Sequence, residues 1–283
     1  MALDMDALRR WIGRREVLDD VATAVPPRAL TATLDRDDAP TNPGDALPPC
    51  WHWLYFLPLA PHAQIGADGH PKRGGFLPPV PLPRRMWAGS RLQFHAPLRI
   101  GQALQRTSYI EDVRLKDARS GPLVFVVVRH EIRAGAELAL VEHHDIVYRE
   151  LPRPGEAAPP GVPAPDDAQW SRRIEPDEVL LFRYSALTFN SHRIHFDRRY
   201  ATAVEGYPGL VVHGPLIATL LLDLLRRELP QAVLAQFSFK ALRPLFDVAA
   251  FHVCARQLDA RTLELWARTP DGQLAMAADA MLA

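Results

Sequence analysis

The sequence predicts an α+β protein of two lobes, each a curved antiparallel sheet around a central helix. Three observations predict it. A proline-rich stretch divides the chain, and the two parts share an order of elements at a spacing of about 150 residues. Each part also carries an apolar helix candidate ahead of a series of strands.

The divider comes first in the argument. Pro152, Pro154, Pro159, Pro160, Pro163 and Pro165 crowd one stretch with Gly155 and Gly161, which no helix or central strand tolerates. Residues 151–170 therefore read as a linker between a first lobe, 1–150, and a second, 171–283. The repeat follows. Leu92-Gln-Phe-His-Ala-Pro-Leu98 and Phe237-Ser-Phe-Lys-Ala-Leu-Arg-Pro-Leu245 each alternate aromatic residues, pass a proline and resume as a strand. Ser120-Gly121-Pro122-Leu123 and Asp271-Gly272-Gln273-Leu274 each read as a hairpin turn entering a strand. The helix candidates are Trp51 to Leu57 in the first lobe and Pro215 to Leu229 in the second. The second is apolar almost all round, through Leu216, Ile217, Leu220, Leu221, Leu222, Leu224 and Leu225, so it is buried on most sides.

Composition narrows the class. The 283 residues are 48% apolar, enough to bury a large core, and Lys plus Arg (33) equals Asp plus Glu (33). A nucleic-acid binder carries a basic excess, and none is present here. No apolar run reaches the ~18 residues of a membrane span. The early acids Asp4 and Asp6 do not fit a secretory leader. Cys50 and Cys254 form no close-spaced motif, so the expected setting is a reducing, cytoplasmic one.

The chemistry concentrates in Phe182-Arg-Tyr-Ser-Ala-Leu-Thr-Phe-Asn-Ser-His-Arg-Ile-His-Phe-Asp197, which places Asn190, His192 and His195 within six residues. Neutral imidazole takes or gives a proton near pH 7. Gly209-Leu-Val-Val-His-Gly-Pro-Leu216 follows and leads into the buried helix. Gly214 there lies at a helix N-terminus, where backbone N–H groups are unpaired and the dipole is positive, and Pro215 has no N–H to offer. Gly214 is thus the natural donor to a developing oxyanion. His192 and His195 are spaced like metal ligands, but no third ligand has convincing spacing, and no metal site is expected. His213 either lines the pocket or caps and packs the helix. His143-His144-Asp145 reads as an ordinary polar strand, with neighbours on opposite faces.

The order of these motifs, from the Asn/His segment through Val-His-Gly and the buried helix to Phe-Ser-Phe-Lys, resembles the MaoC-like, R-specific enoyl-CoA hydratases of the hot-dog fold. The likeness covers most of residues 180–283. Trp11-Ile-Gly13, Gly74-Gly-Phe-Leu-Pro-Pro79 and Arg84-Arg-Met-Trp-Ala-Gly89 are similar to the first half of double hot-dog members. Within that family the whole chain is most similar to the mesaconyl-C4-CoA hydratases and the mitochondrial-type hydroxyacyl-thioester dehydratases. The resemblance implies reversible addition of water across a 2,3-enoyl thioester, with His195 carrying the proton and Gly214 holding the thioester oxygen. The family motif runs Asp-x-Asn-Pro-Ile-His. Here its Asp falls at Asn190 and its Asn at His192, so Asn190 positions the water or the thioester and is no base.

Arg183, Arg193, Arg243 and Arg84, with its neighbour Arg85, are candidates for binding the anionic parts of an acyl-CoA, as His192 and His213 are for facing it. At least one of Arg183, Arg193 and Arg243 is expected to be buried in the second-lobe pocket, which would favour a short dicarboxylic acyl group such as mesaconyl-C4-CoA. The competing readings are a 3-hydroxyacyl-thioester (CoA or ACP) dehydratase of fatty acid metabolism, a thioesterase and a non-catalytic acyl-thioester-binding subunit. No cofactor, nucleic acid or membrane partner is expected. A monomer of two lobes and a homodimer are equally compatible with the pattern.

Overall fold

A computed structural model describes residues 3–118, 121–151 and 160–283. Ten antiparallel strands form one continuous sheet. The first lobe supplies β1 (Arg15–Val21), β2 (Arg84–Phe94), β3 (Ala103–Ala118), β4 (Gly121–Ala134) and β5 (Glu137–Arg149). The second supplies β6 (Trp170–Ile174), β7 (Leu234–Ala241), β8 (Phe251–Gln257), β9 (Thr262–Arg268) and β10 (Leu274–Leu282). The spatial order is β1-β3-β4-β5-β2-β7-β10-β9-β8-β6. Read outward from the centre, the two halves have the same order of strands, so the repeat is one of topology. Its axis passes between β2 and β7, where Leu92 lies opposite Phe237. These are the first residues of the two segments that the sequence matched. Gly89 permits the close approach of the two strands, because a Cβ there would overlap Phe239 O.

Helices α1 (Met5–Arg9), α2 (Val25–Thr33), α3 (Glu178–Leu187) and α4 (Gly214–Glu228) complete the fold. The sheet wraps α4, which packs against β8, β6, β9 and β2. Every residue from Leu216 to Leu225 is buried, as its apolar circumference requires. One buried charge interrupts that surface. Asp223 is met by Arg36 (3.0 Å), Arg172 (2.5 Å) and Arg227 (2.9 Å), which ties the helix to both lobes. At the other end of the helix Pro215 takes the first turn, where its missing N–H costs nothing.

The first-lobe helix differs from the expectation. Trp51 to Leu57 forms only a single 3-10 turn, Trp51–Leu54, because Cys50 (φ 68°) and Phe56 (φ 54°) are left-handed and break the spiral on both sides. The longer helix of this lobe is α2, nine residues long, with Pro26 and Pro27 in its opening turn. A helix this short leaves part of the concave face of β3–β5 uncovered by helix. That face carries apolar layers at its two ends, Leu104, Ile132 and Leu140 at one and Ile110, Val126 and Val128 at the other. Polar residues lie between them. Glu142 is buried and accepts hydrogen bonds from His52 Nε2 (3.1 Å), Trp53 Nε1 (3.2 Å) and Ser90 Oγ (2.7 Å).

Between Arg149 and Trp170 no strand or helix occurs among the described residues. Pro163 bridges to Gln273 beside the β9–β10 turn. Pro152, Pro154, Gly155 and Pro159 lie outside the described residues, as does Ser120 of the β3–β4 turn. Both cysteines are buried and unpaired. No helix among the described residues is long and apolar enough to cross a membrane.

Candidate active site

A cavity of about 2300 Å³ receives side chains from both lobes, His195, His192, Asn190, Gly214 and Arg243 from the second and Arg84 from the first. Its centre is built from two turns of chain. After α3 the backbone reverses at Phe189 (φ 49°), and Asn190 N donates to Ser185 O (2.8 Å). Asn190 Oδ1 then accepts the N–H of His192 (3.0 Å), which closes the turn that presents the histidines. Asn190 is therefore committed through its oxygen to the loop, and its amide NH2 is left for a ligand. A 3-10 turn over Arg193–His195 carries the His195 ring inward.

The His195 ring has a defined tautomer. Its Nδ1 lies 2.7 Å from Val211 O, and a carbonyl only accepts, so the proton is on Nδ1. Nε2 is left as a lone pair with no partner among the described residues. The ring is buried and stacked on His213 at 3.7 Å and 18°. Burial pulls its pKa down to about 4 against the opposing pull of the Val211 hydrogen bond, so it is neutral at pH 7. His213 is more deeply buried and shares a hydrogen bond between Nε2 and Ser185 Oγ (2.8 Å). It packs behind His195, occupies the N-cap position of α4 without a side-chain capping bond, and does not line the cavity. Gly214 begins α4, and its N–H has no backbone partner.

The first lobe reaches this site more directly than the sequence suggested. The loop around Gly69 is laid against the Asn190–His195 turn, so closely that a Cβ on Gly69 (φ 91°) would overlap Ser191 O. Arg193 N donates to Asp68 O (2.9 Å), and Ser191 Oγ donates to Gly69 O (2.5 Å). The loop delivers His70, whose ring lies 4.0 Å from that of His192, and Asp68, whose Oδ2 is 3.1 Å from His70 Nδ1. A carboxylate oxygen of Asp68 and a ring nitrogen from each of His70 and His192 lie within 4.8 Å of one another, a set that suits a divalent cation in number and type. His192 is driven down to about 2 by burial and by its neighbours His70 and His195.

The arginines separate clearly. Arg183 is exposed and does not line the cavity. Arg193 is half-buried, but it is paired with Asp197 (2.7 Å), donates to Ala67 O (3.1 Å) and lies over the Tyr200 ring. It thus staples the loops and has little left for a ligand. Arg84 crosses the lobe boundary to Glu205 (3.2 Å) and covers Tyr207. Arg243 is half-buried at the cavity wall, against the backbone of Gly161. Arg85 follows Arg84 on β2. It lines the cavity opposite Tyr148 in the strand register, with no carboxylate at ion-pair distance among the described residues. His144 also lines the cavity, its ring tilted by 42° against that of Trp87 with centroids 3.9 Å apart, while His143 lies by Glu111. The strand segment is therefore not merely polar, and one of its two histidines belongs to the pocket. Asp68, His70 and His144 are the site residues sequence reasoning missed. The available signal was Asp68-Gly-His70, a turn that can hold a carboxylate against an imidazole.

Known proteins resemble this chain along most of its length. Residues 50–247 match the family described as hydroxyacyl-thioester dehydratase type 2. The chain is 48% identical over 268 residues to the mesaconyl-C(4)-CoA hydratase of Chloroflexus aurantiacus, covering 95% of each. It is 29% identical to the mitochondrial hydroxyacyl-thioester dehydratase type 2 of Schizosaccharomyces pombe, covering 88% of this chain and 91% of that one. Among solved structures, a MaoC-like dehydratase from Phytophthora capsici superposes with a TM-score of 0.70 at 12% identity, over 99% of this chain and 98% of that one. A Mycobacterium tuberculosis protein with a double hotdog fold superposes with a TM-score of 0.60 at 12% identity, over 96% of both chains.

Proposed function

The chain belongs to the hydroxyacyl-thioester dehydratase type 2 family and has the double hot-dog fold, and from that premise we propose that it hydrates a short 2,3-enoyl-CoA carrying a second carboxylate. The observation that carries the reading is the pairing of a bare imidazole lone pair, His195 Nε2, with an unpaired helix N-terminal N–H, Gly214, on one cavity. Hydration needs both. Water attacks C3 while an O–H is drawn to a base, and the C2=C3 electron pair moves into the thioester. The oxygen that becomes an enolate is held by the Gly214 N–H at the positive end of α4. Asn190 NH2 is available to the thioester or the water. The reverse reaction, loss of water from a 3-hydroxyacyl thioester, uses the same groups.

The acyl group follows from charge. Mesaconyl-C4-CoA, the substrate named for the relative at 48% identity, is a short branched enoyl thioester with a free carboxylate. Arg85 is the side chain suited to meet that carboxylate. It is half-buried on the cavity, beside Trp87, whose carbonyl lies close to Gly214. A guanidinium withdrawn from water without a counter-ion is costly, and a bound carboxylate removes that cost. None of the three arginines expected to be buried there is so: Arg183 is exposed, and Arg193 and Arg243 are half-buried on the cavity; Arg85 takes the place of Arg183 and Arg193 as the proposed anchor.

The test is to follow the enoyl absorbance of mesaconyl-C4-CoA and crotonyl-CoA, for the native chain and for Arg85→Gln. Hydration of both by the native chain is expected, with KM for the dicarboxylic thioester raised ~10- to 100-fold by the substitution and KM for crotonyl-CoA little changed. Equal effects on the two substrates would remove Arg85 from recognition. Release of free CoA thiol would assign hydrolysis instead.

A further inference from the structure

The reaction just proposed leaves one requirement without an owner. The proton that leaves water must rest on some group before it reaches C2. His195 is a poor resting place, because a backbone carbonyl is all that stands behind its Nδ1, and burial holds its pKa far down. Asn190, in the position where the family motif has a carboxylate, takes no proton and is occupied with the His192 N–H.

We infer that His70, held by Asp68, is a second catalytic residue of the hydration, and that the first lobe donates it across the lobe boundary. The inference rests on the hydratase reading and specifies the proton path within it. Asp68 grips His70 twice. Its Oδ1 accepts the His70 backbone N–H (3.0 Å), and its Oδ2 accepts Nδ1–H (3.1 Å). That fixes the ring and its tautomer, with the Nε2 lone pair left without a partner among the described residues in a ring that lines the cavity. The arrangement is the carboxylate–imidazole pair that makes a histidine a stronger base, because the anion behind the ring stabilises the imidazolium. Burial lowers the His70 pKa, and the charges of Arg85 and Arg73 lower it further, while the Asp68 hydrogen bond and charge oppose the shift; only the Val211 carbonyl opposes that of His195.

The position is built with care. The loop is closed on itself by Gly66 N to His70 O (2.7 Å) and Lys72 N to Gln64 O (2.7 Å). It is then bonded backbone to backbone onto the histidine turn through Arg193 N and Asp68 O. The rings of His70, His192 and His195 follow one another at 4.0 and 5.4 Å. Such fixing of a loop to the histidine segment holds the His70 ring against His192, one ring away from His195. In the step itself, one water proton passes to His70 Nε2 as the water oxygen bonds to C3. The C2=C3 pair becomes the enolate at Gly214. The same proton then returns to C2, so His70 ends as it began. His195 Nε2 accepts the other O–H of the water and aims it.

The experiment measures kcat, KM and the pH profile of hydration for the native chain, His70→Gln and Asp68→Asn. His70→Gln is expected to lose ~100-fold or more in kcat with KM within a few-fold. Asp68→Asn keeps an oxygen to accept the His70 backbone N–H, which holds the turn, and loses the carboxylate oxygen behind Nδ1. It is expected to lose ~10- to 100-fold, with the acidic limb of kcat/KM moved to lower pH, because removing the carboxylate lowers the His70 pKa. Native kcat in His70→Gln would overturn the inference while leaving the hydratase reading intact. An Asp68→Asn enzyme of unchanged pH profile, whatever its stability, would reduce the pair to a structural role and overturn it as well. A stoichiometric metal in the purified protein, with activity lost to a chelator and restored by the ion, would also overturn it and make Asp68, His70 and His192 ligands. A native chain that hydrates neither thioester would take both proposals down together.

Discussion

The ring of His195 lies flat on the ring of His213, 3.7 Å away and inclined by only 18°. The lower ring is fixed by Ser185 and the upper by Val211, so the reactive nitrogen of His195 is aimed by two separate stretches of chain. His195→Ala removes that nitrogen and little of the core. It is expected to fold, with an unchanged circular dichroism spectrum, and to lose at least ~100-fold in kcat. Near-normal turnover in the folded variant would exclude His195 from the chemistry.

Asn190 offers a finer distinction. Its Oδ1 caps the His192 N–H, and a carboxylate accepts that hydrogen bond equally well. Asn190→Asp should therefore melt within a few degrees of the native protein, whereas Asn190→Ala should loosen the turn and lower the Tm. If the amide NH2 of Asn190 also donates to the thioester, Asn190→Asp loses activity despite its native stability. Retained activity in Asn190→Asp together with loss in Asn190→Ala would show that only the oxygen is used.

Acid should unfold the protein through the histidines. Burial holds His195 and His144 at about 4, while an unfolded histidine titrates near ~6.5. Between those values the unfolded chain binds more protons than the native one, so stability rises with pH across the window. It is complete above ~6.5 and is lost progressively as pH falls toward the folded values. Thermal melts from pH 7.5 to 4 should show the Tm falling over this range, and replacing His144 with Gln should flatten the slope. A Tm that is flat down to pH 4 would contradict the assigned neutral states.

Asp223 is a stability residue and not a site residue. Three arginines converge on a carboxylate that is almost wholly buried. Asp223→Ala leaves them without a counter-ion and should cost about 3–5 kcal/mol, read from denaturant unfolding. A loss under ~1 kcal/mol would mean that the cluster relaxes into water without penalty.

What could be read from the sequence was what is local in it. Asn190, His192 and His195 fall within one turn, and His213 and Gly214 meet the start of a helix whose leucines announce its burial, so their meeting needed no knowledge of distant contacts. The topological repeat was visible because Leu92 and Phe237 head matching segments on strands that pair across the axis. Asp68 and His70 were not visible as site residues, since they reach His192 only through a loop-to-loop contact between residues more than a hundred positions apart. The arginines failed for a related reason. Nothing in the sequence tells that Arg193 is spent on Asp197 and Arg84 on Glu205, while Arg85 meets no acid. The first-lobe helix was misplaced because Trp51 to Leu57 is apolar enough for a helix, and the turn-breaking φ values of Cys50 and Phe56 are set by tertiary packing.

The central claim is that water adds across the C2=C3 bond of an intact thioester. It is tested most directly by mass spectrometry of the acyl-CoA after incubating mesaconyl-C4-CoA with the protein in 18O-labelled water. The account predicts a product heavier by one labelled water, with the label on the hydroxyl and the CoA still attached. Recovery of unlabelled substrate, or of free CoA with the label in a released carboxylate, would contradict it.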